Sequence, residues 1–237
     1  MNPLTQRIRN AFVSRSKDPS QALLNTVIEG DCIEVMRRLP DESIDFVLTD
    51  PPYTTAYRPR DGRTIRNDDR SDWIAPAFQE IYRVLRPDSI CMTFYGWPNV
   101  DKFFSAFRAA GFRPVSHICF TKDYTSRVGY TAGRHEVAYV LAKGRPPMPI
   151  EPPSDVIRWQ YLDGDLHPTV KPADCLVHFI EAYSKPGGVV LDPFCGSGTT
   201  LLAAKLWDRN YIGIEIDAGY VKVAREEVTR TTLFDHR

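Results

Sequence analysis

The tetrapeptide Asp50-Pro51-Pro52-Tyr53 sets an acid, two rigid prolines and an aromatic ring directly after the apolar run Ile44-Asp45-Phe46-Val47-Leu48-Thr49. A run of that kind, closed by polar residues and then proline, has the pattern of a strand buried on both faces. Proline cannot donate to a ladder, so the sheet must end there and the chain must turn. Asp50 and Tyr53 are then held at the strand's carboxyl end, where open α/β sheets bind ligands. The chemistry on offer is hydrogen-bond acceptance by the Asp50 carboxylate and the Pro51 carbonyl, beside a ring on which a flat ligand can stack. Taken alone, the same residues also suit an ordinary strand-to-loop turn.

A second cluster follows Val189-Val190-Leu191, where Asp192-Pro193-Phe194-Cys195-Gly196-Ser197-Gly198-Thr199-Thr200 leads into a helix predicted over Leu201 to Trp207. Strand, glycine turn and helix make a nucleotide-binding geometry, because glycine admits a close ligand and the helix start offers unpaired N–H groups. Two common ligands fit poorly. A P-loop needs Gly-Lys before Ser or Thr, and here Thr199 follows Gly198 directly. The dinucleotide fingerprint needs a small residue where Leu201 stands, and Asp192 opposes a pyrophosphate. A cationic ligand without phosphate suits the acid better, and S-adenosylmethionine is one. The strand Tyr211-Ile212-Gly213-Ile214 ends in Glu215, about 20 residues on, at the spacing where an acid accepts ribose hydroxyls.

These clusters need a frame, and strand-like and helix-like segments alternate as in a parallel sheet covered on both faces. Strands are predicted at Thr26–Glu29, Ile44–Thr49 and Ser89–Tyr95, with Ser116–Phe120 and Glu136–Leu141 as an edge pair. Helices are predicted over Cys32–Leu39, Asp72–Leu85, Val100–Ala110 and Ala173–Tyr183, the second stopped by Arg86-Pro87-Asp88 and the third by Gly111. His135-Glu136 could suggest acid–base chemistry, but an isolated pair at a strand start reads as structural. Gly144 to Pro153 is proline-rich and reads as a connector.

Composition bounds the rest. Among 237 residues, 43% are hydrophobic and 25% charged, enough for one packed domain. The formal net charge of zero argues against a wholesale polyanion binder but leaves room for a local basic face. The five cysteines show no zinc spacing, so they read as reduced thiols of a cytoplasmic protein and no metal is expected. No run reaches the length of a membrane span, and no membrane partner is expected. Residues 1–22 read as a basic N-terminal arm, 23–232 as the domain with an insertion at 121–166, and 233–237 as a tail.

Together with Gly30-Asp31 and His167-Pro168-Thr169-Val170-Lys171-Pro172, the two clusters make the chain resemble the DNA amino-methyltransferases. Because the catalytic motif precedes the cofactor motif, it resembles the β group, and the matching pieces run in order through Gly213-Ile214-Glu215-Ile216-Asp217. The resemblance implies a Rossmann-like, seven-stranded α/β methyltransferase sheet in a single domain. It implies S-adenosylmethionine contacts from Asp31, Asp50, His167, Thr169, Lys171, Asp192, Phe194, Cys195, Gly196, Ser197, Gly198, Thr199, Glu215 and Asp217. It also implies target binding and catalysis by Asp50, Pro51, Pro52 and Tyr53, in double-stranded DNA and in the setting of restriction–modification. An initial Asp resembles adenine-N6 enzymes more than cytosine-N4 enzymes, which usually begin with Ser.

The mechanism expected is direct transfer, with Asp50 and the Pro51 carbonyl accepting the target amine's N–H groups and Tyr53 stacking on an extruded base. Arg58, Arg60, Arg63 and Arg66, with Arg127 and Arg134, are positioned to follow phosphates or read guanine edges. The recognition region is short, so recognition is modest, shared with the Thr54–Arg70 loop and the Thr121–Arg134 segment, or assisted by a second copy in a homodimer. No Pro-Cys occurs, which opposes C5-cytosine chemistry. A glutamine or RNA methyltransferase is opposed by Asp50 and the motif order, a non-catalytic DNA-binding module by the intact acids and glycines, and an NAD oxidoreductase by Leu201 and Asp192.

Overall fold

A computed structural model describes residues 23–54, 68–159 and 173–230. The chain begins with strand β1 (Thr26–Glu29), helix α1 (Cys32–Met36) and strand β2 (Ile44–Thr49). Helix α2 (Ile74–Val84), strand β3 (Leu85–Phe94), a 3-10 turn (Trp97–Asn99) and helix α3 (Val100–Ala110) follow. Next come β4 (Arg113–Lys122), the short β5 (Arg127–Val128) and β6 (Ala132–Gly133), β7 (His135–Lys143) and β8 (Val156–Trp159). The C-terminal part holds α4 (Ala173–Tyr183), β9 (Val189–Asp192), α5 (Thr199–Leu206), β10 (Asn210–Glu215) and α6 (Ala218–Glu227).

The main sheet runs β1-β10-β9-β2-β3-β7-β4-β8. Among the described residues it has eight strands rather than seven, and it is mixed: β7 pairs antiparallel with both β3 and β4. The two strands expected at the edge do pair with each other. The edge itself is β8, parallel to β4, which comes from the segment expected to serve only as connector and insertion.

The central strands are buried on both faces, as an apolar run requires. On β2, Phe46 and Leu48 join the core under α4, α5 and α6, while Val47 joins the core under α1, α2 and α3. The second core is rich in aromatic contacts. Phe78 of α2 meets Phe107 of α3 edge-on, with ring centroids 4.6 Å apart. Burying a phenylalanine side chain contributes about 1.5–3 kcal/mol, and edge-on pairing adds to it.

Local chemistry explains most boundaries. Asp31 caps α1, accepting from the backbone N–H groups of Ile33 (2.9 Å) and Glu34 (3.3 Å). Gly111 ends α3 in the left-handed conformation at φ 104°. The Arg86-Pro87-Asp88 stop does end α2, yet β3 has already begun at Leu85. Ladder pairing with β2 is irregular between Ile44 and Phe46, so Pro87 sits in a bulge where its missing N–H costs nothing.

Candidate active site

Strands β2 and β9 lie side by side and parallel, with Phe46 beside Val190 and Val47 beside Leu191. From β9 the sheet continues to β10 and β1, and from β2 it continues the other way to β3. This is a topological switch point, the place where the loops leaving two adjacent strands diverge and open a crevice. The loops here are Asp50-Pro51-Pro52-Tyr53 and Asp192 to Gly198. They are tied at the root: the Thr49 hydroxyl donates to Asp192 Oδ1 across 2.8 Å in a buried contact.

The first loop is built around Tyr53. Pro51 is buried, Pro52 and Tyr53 are half-buried, and Asp50 is exposed. The Tyr53 hydroxyl donates to Asp50 Oδ1 at 2.9 Å, with Glu136 Oε2 at 3.4 Å. Burial pushes the phenol well above the ordinary tyrosine range, and the neighbouring Asp50 and Glu136 charges push the same way. It therefore stays protonated and donates. Gly96 makes room for this residue, since a Cβ there would come within 2.6 Å of Tyr53 Cβ. Asn99 holds the turn by donating to the Tyr53 carbonyl (3.3 Å) and the Thr54 carbonyl (3.0 Å). Thr54 adopts φ 55°, a left-handed conformation that a β-branched residue takes only when held there.

The second loop is organised by two acids. Asp192 is 3% exposed and accepts from Thr49 and from the Phe194 N–H at 3.1 Å. Burial nevertheless pushes its carboxyl up to about 7. Glu215 ends β10 and accepts from the N–H groups of Gly196 (3.0 Å) and Asp217 (2.8 Å), and burial raises it as well. Gly196 and Gly198 have φ of 48° and 90°, and a Cβ on Gly196 would meet nothing within 4 Å. Open space therefore lies directly beside Gly196.

The other expected residues take up different places. Phe194 packs its half-buried ring against Trp73, with centroids 5.3 Å apart, while Ser197 and Thr199 line the loop half-exposed. Cys195 is buried, and that burial drives its thiol well up, so it fills space as a neutral group. Asp31 and Asp217 spend a carboxylate oxygen on helix caps; Asp217 accepts from Gly219 and Tyr220. Arg134 is exposed and donates to the Asp123 carbonyl. His167, Thr169, Lys171, Arg58, Arg60, Arg63 and Arg66 lie outside the described residues, as does the side chain of Arg127.

Sequence reasoning missed Thr49, Trp73, Gly96, Asn99 and Glu136. Two of them carry a weak local signal: Gly96 as a glycine at the end of an apolar strand, and Glu136 in a His-Glu pair that reads as structural. Among the described residues no group of three or more His, Cys, Asp or Glu is arranged to hold a metal ion, and no helix is long and apolar enough to cross a membrane.

With this geometry established, comparison with known proteins is decisive about ancestry. The family model described as DNA methylase, of the adenine-N6 and cytosine-N4 type, matches residues 44–226, from the start of β2 to the end of α6. The chain belongs to this DNA methylase family. Over 205 residues this methylase is 46% identical to "Putative methylase YubD" of Escherichia coli (strain K12), covering 86% of this chain and 90% of that one. Its fold matches the cytosine-N4-specific PvuII DNA methyltransferase with a TM-score of 0.69 at 20% identity, over 85% of each chain. It matches M1.HpyAVI in complex with SAM with a TM-score of 0.65 at 24% identity, over 86% of this chain and 99% of that one. At such identities the two structures establish a common α/β sheet architecture.

Proposed function

We propose that this methylase moves a methyl group from S-adenosylmethionine to an exocyclic amine of a base in double-stranded DNA, with adenine N6 the target. The observation that carries the reading is the 2.8 Å bond between Thr49 and Asp192, which roots the Asp50 turn and the glycine loop at one point.

The residues of the glycine loop fit the donor. Open space beside Gly196 leaves room for a close approach, and the loop carries two acids, Asp192 at its root and Glu215 at its edge, with no lysine. That donor set suits a cation and opposes a phosphate. When bound, S-adenosylmethionine supplies an electrophilic methyl group on a sulfonium. Glu215 is the acceptor for the ribose hydroxyls, and Phe194 with the Gly196–Thr199 backbone forms the loop wall. His167, Thr169, Lys171 and Asp31 are the further contacts proposed.

On the other side of the crevice, the task is to make a poor nucleophile attack. An exocyclic amine delocalises its lone pair into the ring. Asp50 and the Pro51 carbonyl accept its N–H groups and favour a pyramidal nitrogen, so catalysis comes from positioning and fixed acceptors. Tyr53 presents a ring to the extruded base, worth roughly 1–3 kcal/mol for a stacked base. Arg134, together with Arg58, Arg60, Arg63, Arg66 and Arg127, is assigned to the DNA backbone and groove edges, making affinity fall steeply with salt.

Cytosine N4 is the second reading, favoured by the fold match to the PvuII enzyme, whereas the initial Asp50 favours adenine. Incubation with unmethylated plasmid and tritiated donor, then nucleoside chromatography, separates them. Label in N6-methyladenine supports the first reading; label in N4-methylcytosine replaces it with the second. No label in either refutes both.

A further inference from the structure

Glu136, which reads as structural in the sequence, and its neighbour on β4 are both delivered by the sheet to the Asp50 turn. Strand β7 runs antiparallel to β3, pairing Ala138 with Phe94, so its first residues reach the carboxyl end of β3. Strand β4 runs antiparallel to β7, pairing Thr121 with His135, which brings Lys122 to the same place. There Lys122 Nζ donates to Glu136 Oε1, while Glu136 Oε2 faces the Tyr53 hydroxyl at 3.4 Å. The hydroxyl in turn lies 2.9 Å from Asp50 Oδ1. Three strand ends thus form one connected line from a buried ammonium to the proposed amine acceptor.

The line has a direction. A tyrosine hydroxyl carries one proton, so two carboxylates compete for it. Lys122 is only 7% exposed, and its ammonium lies 5.5 Å from the Tyr124 ring and 5.6 Å from the Trp159 ring. In such low-dielectric surroundings its attraction to Glu136 is strong and weakens Glu136 as an acceptor. The phenol proton is left to the nearer oxygen, that of Asp50. One oxygen of Asp50 is then fixed by Tyr53, and the rotation of its carboxylate is set.

We infer that Glu136 and Lys122 are positioning residues: their ion pair directs the Tyr53 hydroxyl to Asp50 and so fixes the carboxylate that accepts the target amine. The inference rests on the assignment of Asp50 under the proposed function. A purely structural ion pair would close the sheet edge equally well without coupling to Tyr53.

The test is a double-mutant cycle of Tyr53→Phe and Glu136→Gln in the full chain, read in two ways. In steady-state methylation each single variant should lose about tenfold in kcat, the worth of one oriented hydrogen bond, with KM for DNA within about twofold. The double variant should be no slower than the slower single one. In urea unfolding without donor or DNA, the midpoints of the four proteins should be non-additive. Should Glu136→Gln not fold, Lys122→Gln completes the same cycle. A multiplicative, roughly hundredfold loss in the double variant, or additive unfolding midpoints, overturns the inference and leaves Asp50's role intact. A wild-type protein that transfers no methyl group overturns that role itself.

Discussion

The Thr49 hydroxyl and the Asp192 carboxylate meet at 2.8 Å although 143 positions separate them in the chain. The bond joins the ends of β2 and β9 where they enter the two loops of the site, so it sets how far apart those loops begin. Thr49→Val keeps the shape and removes the donor. It leaves a buried carboxyl short of a partner, and urea unfolding should show a loss of about 1–3 kcal/mol. A loss below the error of the measurement would mean that the contact holds nothing together.

Asp192 also predicts a pH dependence. Its carboxyl is raised to about 7 by burial, outweighing the donors around it. Folding therefore favours the protonated form, so the stability it contributes is present in acid and is lost as pH rises through about 7. The Asn variant of Asp192 cannot ionise. Urea midpoints measured from pH 5 to pH 8.5 should fall in the wild type and fall less in Asp192→Asn. Parallel curves would contradict the shift.

Gly196 and Gly198 both have positive φ but fail differently when substituted. At Gly198 a Cβ would press within 3.0 Å of the Ala224 backbone on α6, so Gly198→Ala combines backbone strain with a clash and should unfold more easily. At Gly196 a Cβ meets nothing within 4 Å, so Gly196→Ala costs only about 1–2 kcal/mol of backbone strain. Its methyl enters the space assigned to the donor. Calorimetric donor binding should weaken at least tenfold in Gly196→Ala, with a smaller loss of stability than in Gly198→Ala. Unchanged donor affinity would move the donor away from this loop.

Asn99 acts on the other loop through the carbonyls of Tyr53 and Thr54. Asn99→Ala releases a left-handed Thr54 and should loosen the turn. The expected result is a fall in kcat of about tenfold with donor affinity unchanged. A rise in KM for DNA at unaltered kcat would instead make Asn99 a contact to the duplex.

The parts legible in the sequence were those carried by local pattern. The apolar run of β2, the helix stop at Gly111 and the glycine loop after β9 each state their structure within a few residues. The DNA methylase resemblance rested on such pieces in order, and the family match bears it out. What escaped was tertiary. Glu136 reads as an isolated acid until β7 turns it toward Tyr53, and Asn99 reads as loop until it reaches two carbonyls 45 and 46 positions away. Strand β8 is four residues with an exposed face, held by pairing to β4, and its own pattern is too short to announce it.

The most direct measurement is single-turnover methyl transfer to unmethylated duplex DNA by the wild type and by Asp50→Ala, with donor binding measured on the same samples. The account predicts that Asp50→Ala binds S-adenosylmethionine like the wild type and transfers at least a thousandfold more slowly, the scale of losing a fixed acceptor at the reacting group. Transfer by Asp50→Ala at a rate near that of the wild type would contradict it.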